Sequence, residues 1–156
     1  MPSYGGFWLR FVAYFIDAII LNIAQSAISM PLGLGAMNFA EGNENAFVGM
    51  YFGVLGISFV MGWLYSAVLE SSSMQGTLGK KALGLVVTDM DGRRISFGRA
   101  TGRYFAKFLS AMILLVGFMM AGWTARKQGL HDLIASTLVY KSRSPELLRN
   151  DAEVFE

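Results

Sequence analysis

Apolar residues fall in two long blocks, Trp8 to Met30 and Phe47 to Leu69, and a shorter one from Phe105 to Trp123. Each of the first two is long enough to cross a hydrocarbon core as a helix, which needs about 20 residues. The first does not read as a secretory leader: it exceeds a usual apolar core, contains Asp17 and is followed by no clear small-x-small cleavage pattern. Pro31-Leu32-Gly33-Leu34-Gly35 predicts the end of the first helix.

Between the second and third blocks the pattern becomes polar and short-ranged. Leu85-Val86-Val87-Thr88 predicts a strand, Asp91-Gly92 a turn, and Arg94-Ile95-Ser96 a return strand, together a local β-hairpin. Ser96 is placed to cap a helix beginning near Phe97. Beyond the third block, Gly129 to Ala135 reads as a short helix. Thr137 to Tyr140 reads as a strand able to join the hairpin. The expected organisation is a membrane domain over residues 1–142 and a charged tail over 143–156.

Charge placement orients these segments. Residues 31–46 hold no Lys or Arg, whereas residues 71–107 hold Lys80, Lys81, Arg93, Arg94, Arg99, Arg103 and Lys107. Positive residues stay inside, so the middle loop and the N-terminus are expected in the cytoplasm. A full crossing by residues 105–123 would put Arg126, Lys127 and Lys141 outside, against that rule. A re-entrant hairpin turning near Leu115 to Gly117 keeps both flanks inside and is favoured over a third full span. The expected fold is an all-α integral membrane protein with two transmembrane helices, this third segment and a small cytoplasmic β-hairpin element.

Composition agrees with the blocks: 54% of the 156 residues are hydrophobic and 15% charged, against about a quarter charged in soluble domains. The chain has no cysteine and one histidine, His131. A thiolate or multi-histidine metal site is therefore excluded, and no metal or cofactor is expected. No nucleophile–base pair or carboxylate dyad is visible, so an enzyme is not expected, nor is a nucleic-acid partner. Gly76-Thr77-Leu78-Gly79-Lys80-Lys81 echoes a phosphate loop but lacks its four-residue spacer and its Ser/Thr after lysine.

The residues that invite chemistry are the charges within or beside the apolar blocks. Arg10 and Asp17 are seven residues apart, so a helix puts both on one face, about 10 Å apart along its axis. Arg10 can snorkel to headgroups. Asp17 is the costly group and needs a partner: Arg10, a basic residue of the third segment, or a cation or proton in a polar pathway. Asp132 and His131 either cap the short helix or, through Asp132 and Arg10, close a charge network with Asp17. Gly49, Gly53 and Gly56 form one small-residue stripe on the second span and Gly62 lies roughly opposite, a pattern that suits close helix packing or a homo-oligomer. Lys80, Lys81, Arg99 and Arg103 are candidate contacts for anionic lipid headgroups.

Arg10 and Asp17, the Gly79-Lys80 to Gly84 turn, Asp91-Gly92 with Ile95-Ser96-Phe97, and Gln128-Gly129-Leu130-His131-Asp132 together resemble the RDD family of bacterial membrane proteins. The resemblance covers about residues 5 to 141. It implies an inner-membrane location, Arg10 and Asp17 as the signature arginine and first aspartate, and Asp132 as the second. It also implies a transport role, such as cation/proton exchange through Asp17. The alternative is a structural or accessory subunit that organises a membrane complex.

Overall fold

The computed structural model describes residues 3–39, 44–112 and 116–142, with side chains omitted at 32, 34–39, 44, 111, 112 and 116–118. The elements are β1 (Ser3–Tyr4), α1 (Phe7–Phe39), α2 (Glu44–Ser71), α3 (Leu78–Ala82), β2 (Leu85–Asp89), α4 (Phe97–Met112), α5 (Val116–Trp123), α6 (Leu130–Ile134) and β3 (Thr137–Lys141).

Two helices, over Phe7–Pro31 and Asn45–Ser71, are long and apolar enough to cross a membrane. Only 11% and 17% of the residues in their most apolar stretches are buried. A core helix of a soluble protein would bury most of that surface. Ile19, Ile23, Ile28 and Met30 on α1, and Phe47, Tyr51, Phe52 and Leu55 on α2, are exposed. The predicted break at Pro31 does not occur, because α1 runs through it to Phe39. Proline removes one helical hydrogen bond, but a break would leave more backbone groups without partners in an apolar setting.

The packed core lies at one end of the long helices. Ala13 of α1, Ala67 of α2 and Ala100 of α4 meet Leu85, Val87, Ile95 and Val139, with Leu9, Trp63 and Leu83 against them. The sheet has the order β1-β3-β2 and is antiparallel throughout. Its centre is β3, with Val87 opposite Val139 and Tyr4 opposite Tyr140. The expected local hairpin is therefore corrected: β2 pairs with β3, not with Arg94-Ile95-Ser96. The Asp-Gly turn does form, with the Asp89 N–H donating to Arg93 O at 2.9 Å. Ile95 then leaves the ladder to fill the core at 2% exposure, where its burial outweighs further pairing. Ser96 caps α4 as expected, its Oγ accepting from the Arg99 N–H at 3.2 Å.

The third apolar segment is divided into α4 and α5, which pack on each other and on α6. The turn expected at Leu115 to Gly117 lies partly outside the described residues, as does the tail over 143–156. One feature of α4 was not anticipated. Its buried face carries Ala100, Arg103, Ala106 and Ser110, while Phe97, Phe105, Phe108 and Leu109 on the other face are each 44–47% exposed. The helix is amphipathic with its polar face inward.

Candidate functional site

Two polar clusters lie in this packed end. The first is built on Asp17, 8% exposed on α1. Its Oδ1 accepts from Tyr65 Oη of α2 at 2.6 Å and from the Gly79 N–H of α3 at 2.8 Å; its Oδ2 accepts from Thr77 Oγ1 at 2.5 Å. Tyr65 Oη also accepts from the Leu78 N–H at 3.2 Å. Thr77 stands at the N-cap position of α3 but makes no cap bond of its own. Asp17 takes the Gly79 N–H of that first turn instead, and Tyr65 Oη takes that of Leu78, each from a neighbouring helix. Neither expected partner of Asp17, Arg10 or a basic residue of the third segment, is the one found. Hydroxyl and amide donors hold it.

This contact depends on a glycine. A Cβ at position 79 would lie 2.2 Å from Ala13 O and 2.9 Å from the Asp17 carboxyl carbon. No side chain fits there, so Gly79 lets α3 reach the carboxylate.

The second cluster is ionic. Asp132, fully buried on α6, pairs with Arg10 of α1 through Oδ2 and with Arg103 of α4 through Oδ1 at 2.6 Å. Arg103 also reaches Glu70 Oε2 of α2 at 3.0 Å, and Glu70 Oε1 pairs with Lys80 of α3. Lys107 Nζ stands 3.9 Å from the same Glu70 oxygen. Arg10 further donates through Nε to Gly5 O at 2.7 Å and through Nη2 to Lys127 O at 2.5 Å. The chain of charges thus joins α1, α6, α4, α2 and α3. The pairing of Asp132 with Arg10 is present, but it does not run on to Asp17. Asp132 also caps its own helix, accepting from the Gly129 N–H at 3.1 Å.

Burial disfavours charge on each of these groups, and the partners decide the result. Burial alone would raise the Asp132 pKa, but Arg103 and Arg10 outweigh it and hold the carboxyl well below the usual range. His131 is pushed down to about 3, chiefly by burial, so its imidazole is neutral at physiological pH. Lys80 is lowered to about 7 by burial and by the neighbouring Arg103, against the attraction of Glu70.

Two of the lipid-headgroup candidates are corrected by this arrangement. Lys80 and Arg103 are 8% and 1% exposed and are committed to buried carboxylates. Lys81 is exposed, and Arg99 is exposed beside Asp89 at 3.8 Å. Arg10, expected to snorkel, is turned inward by Asp132. Of the glycines, Gly62 faces α4, where a Cβ would meet Tyr104 Oη at 2.9 Å; Gly49, Gly53 and Gly56 face open space. Among the described residues no group of three or more acidic, His or Cys side chains is arranged to hold a metal.

Sequence reasoning missed Glu70, Tyr65, Thr77 and Lys107. Glu70 carried a signal, an acid closing an apolar block. The hydroxyls of Tyr65 and Thr77 carried none, because their use depends on a contact 48 and 60 residues distant in the chain.

The chain matches the RDD family over residues 4–136. It belongs to that family. Among relatives, this RDD chain is 41% identical over 152 residues to the protein YxaI of Bacillus subtilis strain 168, covering 90% of this chain and 100% of YxaI. It is 26% identical over 144 residues to YteJ of the same strain, described as a membrane protein, covering 88% and 80% of the two chains. It is also 28% identical over 118 residues to the proline-rich antigen homolog of Mycobacterium tuberculosis strain H37Rv. That match takes in 75% of this chain and spans 44% of the relative's length. No solved structure matches it. With its two long, largely uncovered apolar helices, the RDD chain is a small membrane protein.

Proposed function

We propose that this RDD chain is a non-enzymatic accessory subunit of the bacterial inner membrane that organises a membrane complex, and that Asp17 is a helix lock within it. The observation that carries this reading is the saturation of Asp17: both carboxylate oxygens already accept hydrogen bonds, three in all, from Tyr65, Thr77 and Gly79. A carrier acid must exchange its ligand during transport, which here means releasing α3 and α2 together. Cation/proton exchange through Asp17 is therefore the weaker reading. The ionic cluster supports the same conclusion, since it ties five helices to one another.

The inverted α4 supports membrane insertion of the third segment. Burying Arg103 while exposing Phe97, Phe105 and Phe108 is favourable only where the surroundings are apolar. Helix α4, before the break, and α6, which follows α5, meet through Arg103 and Asp132. That supports a re-entrant hairpin with the N-terminus, the sheet and the charge cluster on the cytoplasmic side. Helix α1, at 33 residues, is about 50 Å long against a hydrocarbon core of about 30 Å. Its first turns, which hold Arg10, then lie at the cytoplasmic boundary.

Reconstitution tests the functional reading. Purified protein in sealed proteoliposomes is expected to give no cation-dependent proton flux above empty vesicles. A flux that disappears in Asp17→Asn, with the variant still folded, would establish the carrier role and overturn the accessory one.

A further inference from the structure

Once Lys80 and Arg103 are assigned to buried carboxylates, two lysines near the sheet stand without a carboxylate among the described residues. Lys81 follows Lys80 on α3, and Lys141 ends β3. Both are exposed, and neither makes an ion pair among the described residues. They line one open groove of about 580 Å³, together with Ser3, Gly84 and Ser142.

The backbone builds the groove. Ser3 and Lys141 are directly opposed across β1 and β3, so their side chains leave the sheet on one face. Gly84, at φ +64°, turns the chain from α3 into β2. The Ser142 N–H donates to Gly84 O at 2.7 Å and closes that turn against the end of β3. Lys81, Lys141 and Ser3 therefore line one concavity, and among the described residues no acidic one lines it. Such a donor set, without an internal counter-charge, suits a compact dianionic or monoanionic oxyanion.

We propose that the Lys81–Lys141 groove binds a phosphate group, presented by an anionic lipid headgroup or by a soluble phosphate compound. The lipid source rests on the membrane placement argued above; the phosphate chemistry does not. It is also independent of whether Asp17 carries an ion.

Full-length protein in a neutral detergent is titrated with dihexanoyl phosphatidylglycerol below its micelle concentration and, separately, with inorganic phosphate. Saturable binding of at least one is expected. Binding of the lipid alone identifies a headgroup site, and binding of inorganic phosphate identifies a site open to soluble phosphates. The Lys81→Gln/Lys141→Gln double variant is expected to bind about thirtyfold more weakly, from about one order-of-magnitude step or less per lysine. Each single variant is expected to fall between. Arg94→Gln, at an exposed basic residue outside the groove, is expected to bind like the parent. Circular dichroism and gel filtration check that the variants fold, and if the double variant does not, the single variants decide. Failure of both ligands to saturate, undiminished binding by the lysine variants, or an equal loss in Arg94→Gln would each overturn the proposal.

Discussion

The backbone N–H of Gly79 donates to Asp17 Oδ1 at 2.8 Å, across sixty-two residues of chain. The bond fixes the basic loop after α2 against the first long helix. It exists only because position 79 has no side chain. Gly79→Ala would press a methyl group onto Ala13 O and the Asp17 carboxyl, backbone and a held side chain that cannot move aside cheaply. Overpacking of this kind costs about 1–3 kcal/mol or more. The expected outcome is a clearly lower melting temperature in detergent, with faster proteolysis of the loop around residues 72–84. Unchanged melting would show that α3 does not sit against α1.

Arg103 is the hub of the ionic cluster, bonded to Glu70 and Asp132 and 1% exposed. Removing one member of a buried ion group leaves its partners charged and unpaired, a loss of about 3–5 kcal/mol. Arg103→Gln should therefore destabilise the protein far more than Arg99→Gln, whose ion pair is at the surface. The check is the difference in melting temperature between the two variants and the parent.

The ionisable groups outside the long helices set a pH dependence of known sign. His131 has an ordinary value of 6.5 and is pushed down to about 3 in the fold. Between those values the unfolded chain binds the extra proton, so stability rises with pH across that window. The contribution is complete above about 6.5 and is lost as pH falls toward 3. Asp132, held below its ordinary 3.8, acts in the same direction at lower pH. Lys80, lowered from 10.5 to about 7, also leaves the unfolded chain more protonated, so stability gains again from about pH 7 upward. Melting temperature should fall on acidification from pH 6.5 and His131→Gln should flatten that limb. Lys80→Met should flatten the rise above pH 7.

The position of the third segment is tested by a cysteine placed at Ser142, in a chain that has none of its own. In intact cells, Ser142→Cys should resist a membrane-impermeant thiol reagent and react once the cytoplasmic face is opened. Labelling from outside would instead make residues 105–123 a full span.

The two long helices were legible because their apolar blocks are contiguous and need no knowledge of partners. Asp17 was legible because a carboxylate in apolar sequence is costly wherever it is placed, and Asp132 because it stands at the start of a short helix within the segment that resembles the RDD family. Arg10 was anticipated as a partner of Asp132, but Arg103 was not, nor were the partners of Asp17, since no local rule says that Thr77 and Gly79 fold back onto α1. The β2–β3 pairing was legible in part, since Thr137 to Tyr140 reads as a strand able to join Leu85 to Thr88; the Asp91-Gly92 turn advertises a local hairpin as well, and only the core position of Ile95 shows why the chain leaves it. The inverted face of α4 was present in the spacing of Arg103, Ala106 and Ser110, but its direction depends on Glu70 and Asp132 being buried behind it.

The central claim is that Asp17 locks helices and does not carry an ion. Thermal melting of Asp17→Asn beside the parent, with proton flux measured on the same preparations in vesicles, tests it most directly. An amide cannot accept from Tyr65, Thr77 and Gly79 together as the carboxylate does. The loss is expected to be about 1–3 kcal/mol, or about 2–12 °C in melting temperature, with no flux from either protein. An unshifted melting temperature together with a parental flux that the substitution abolishes would contradict it.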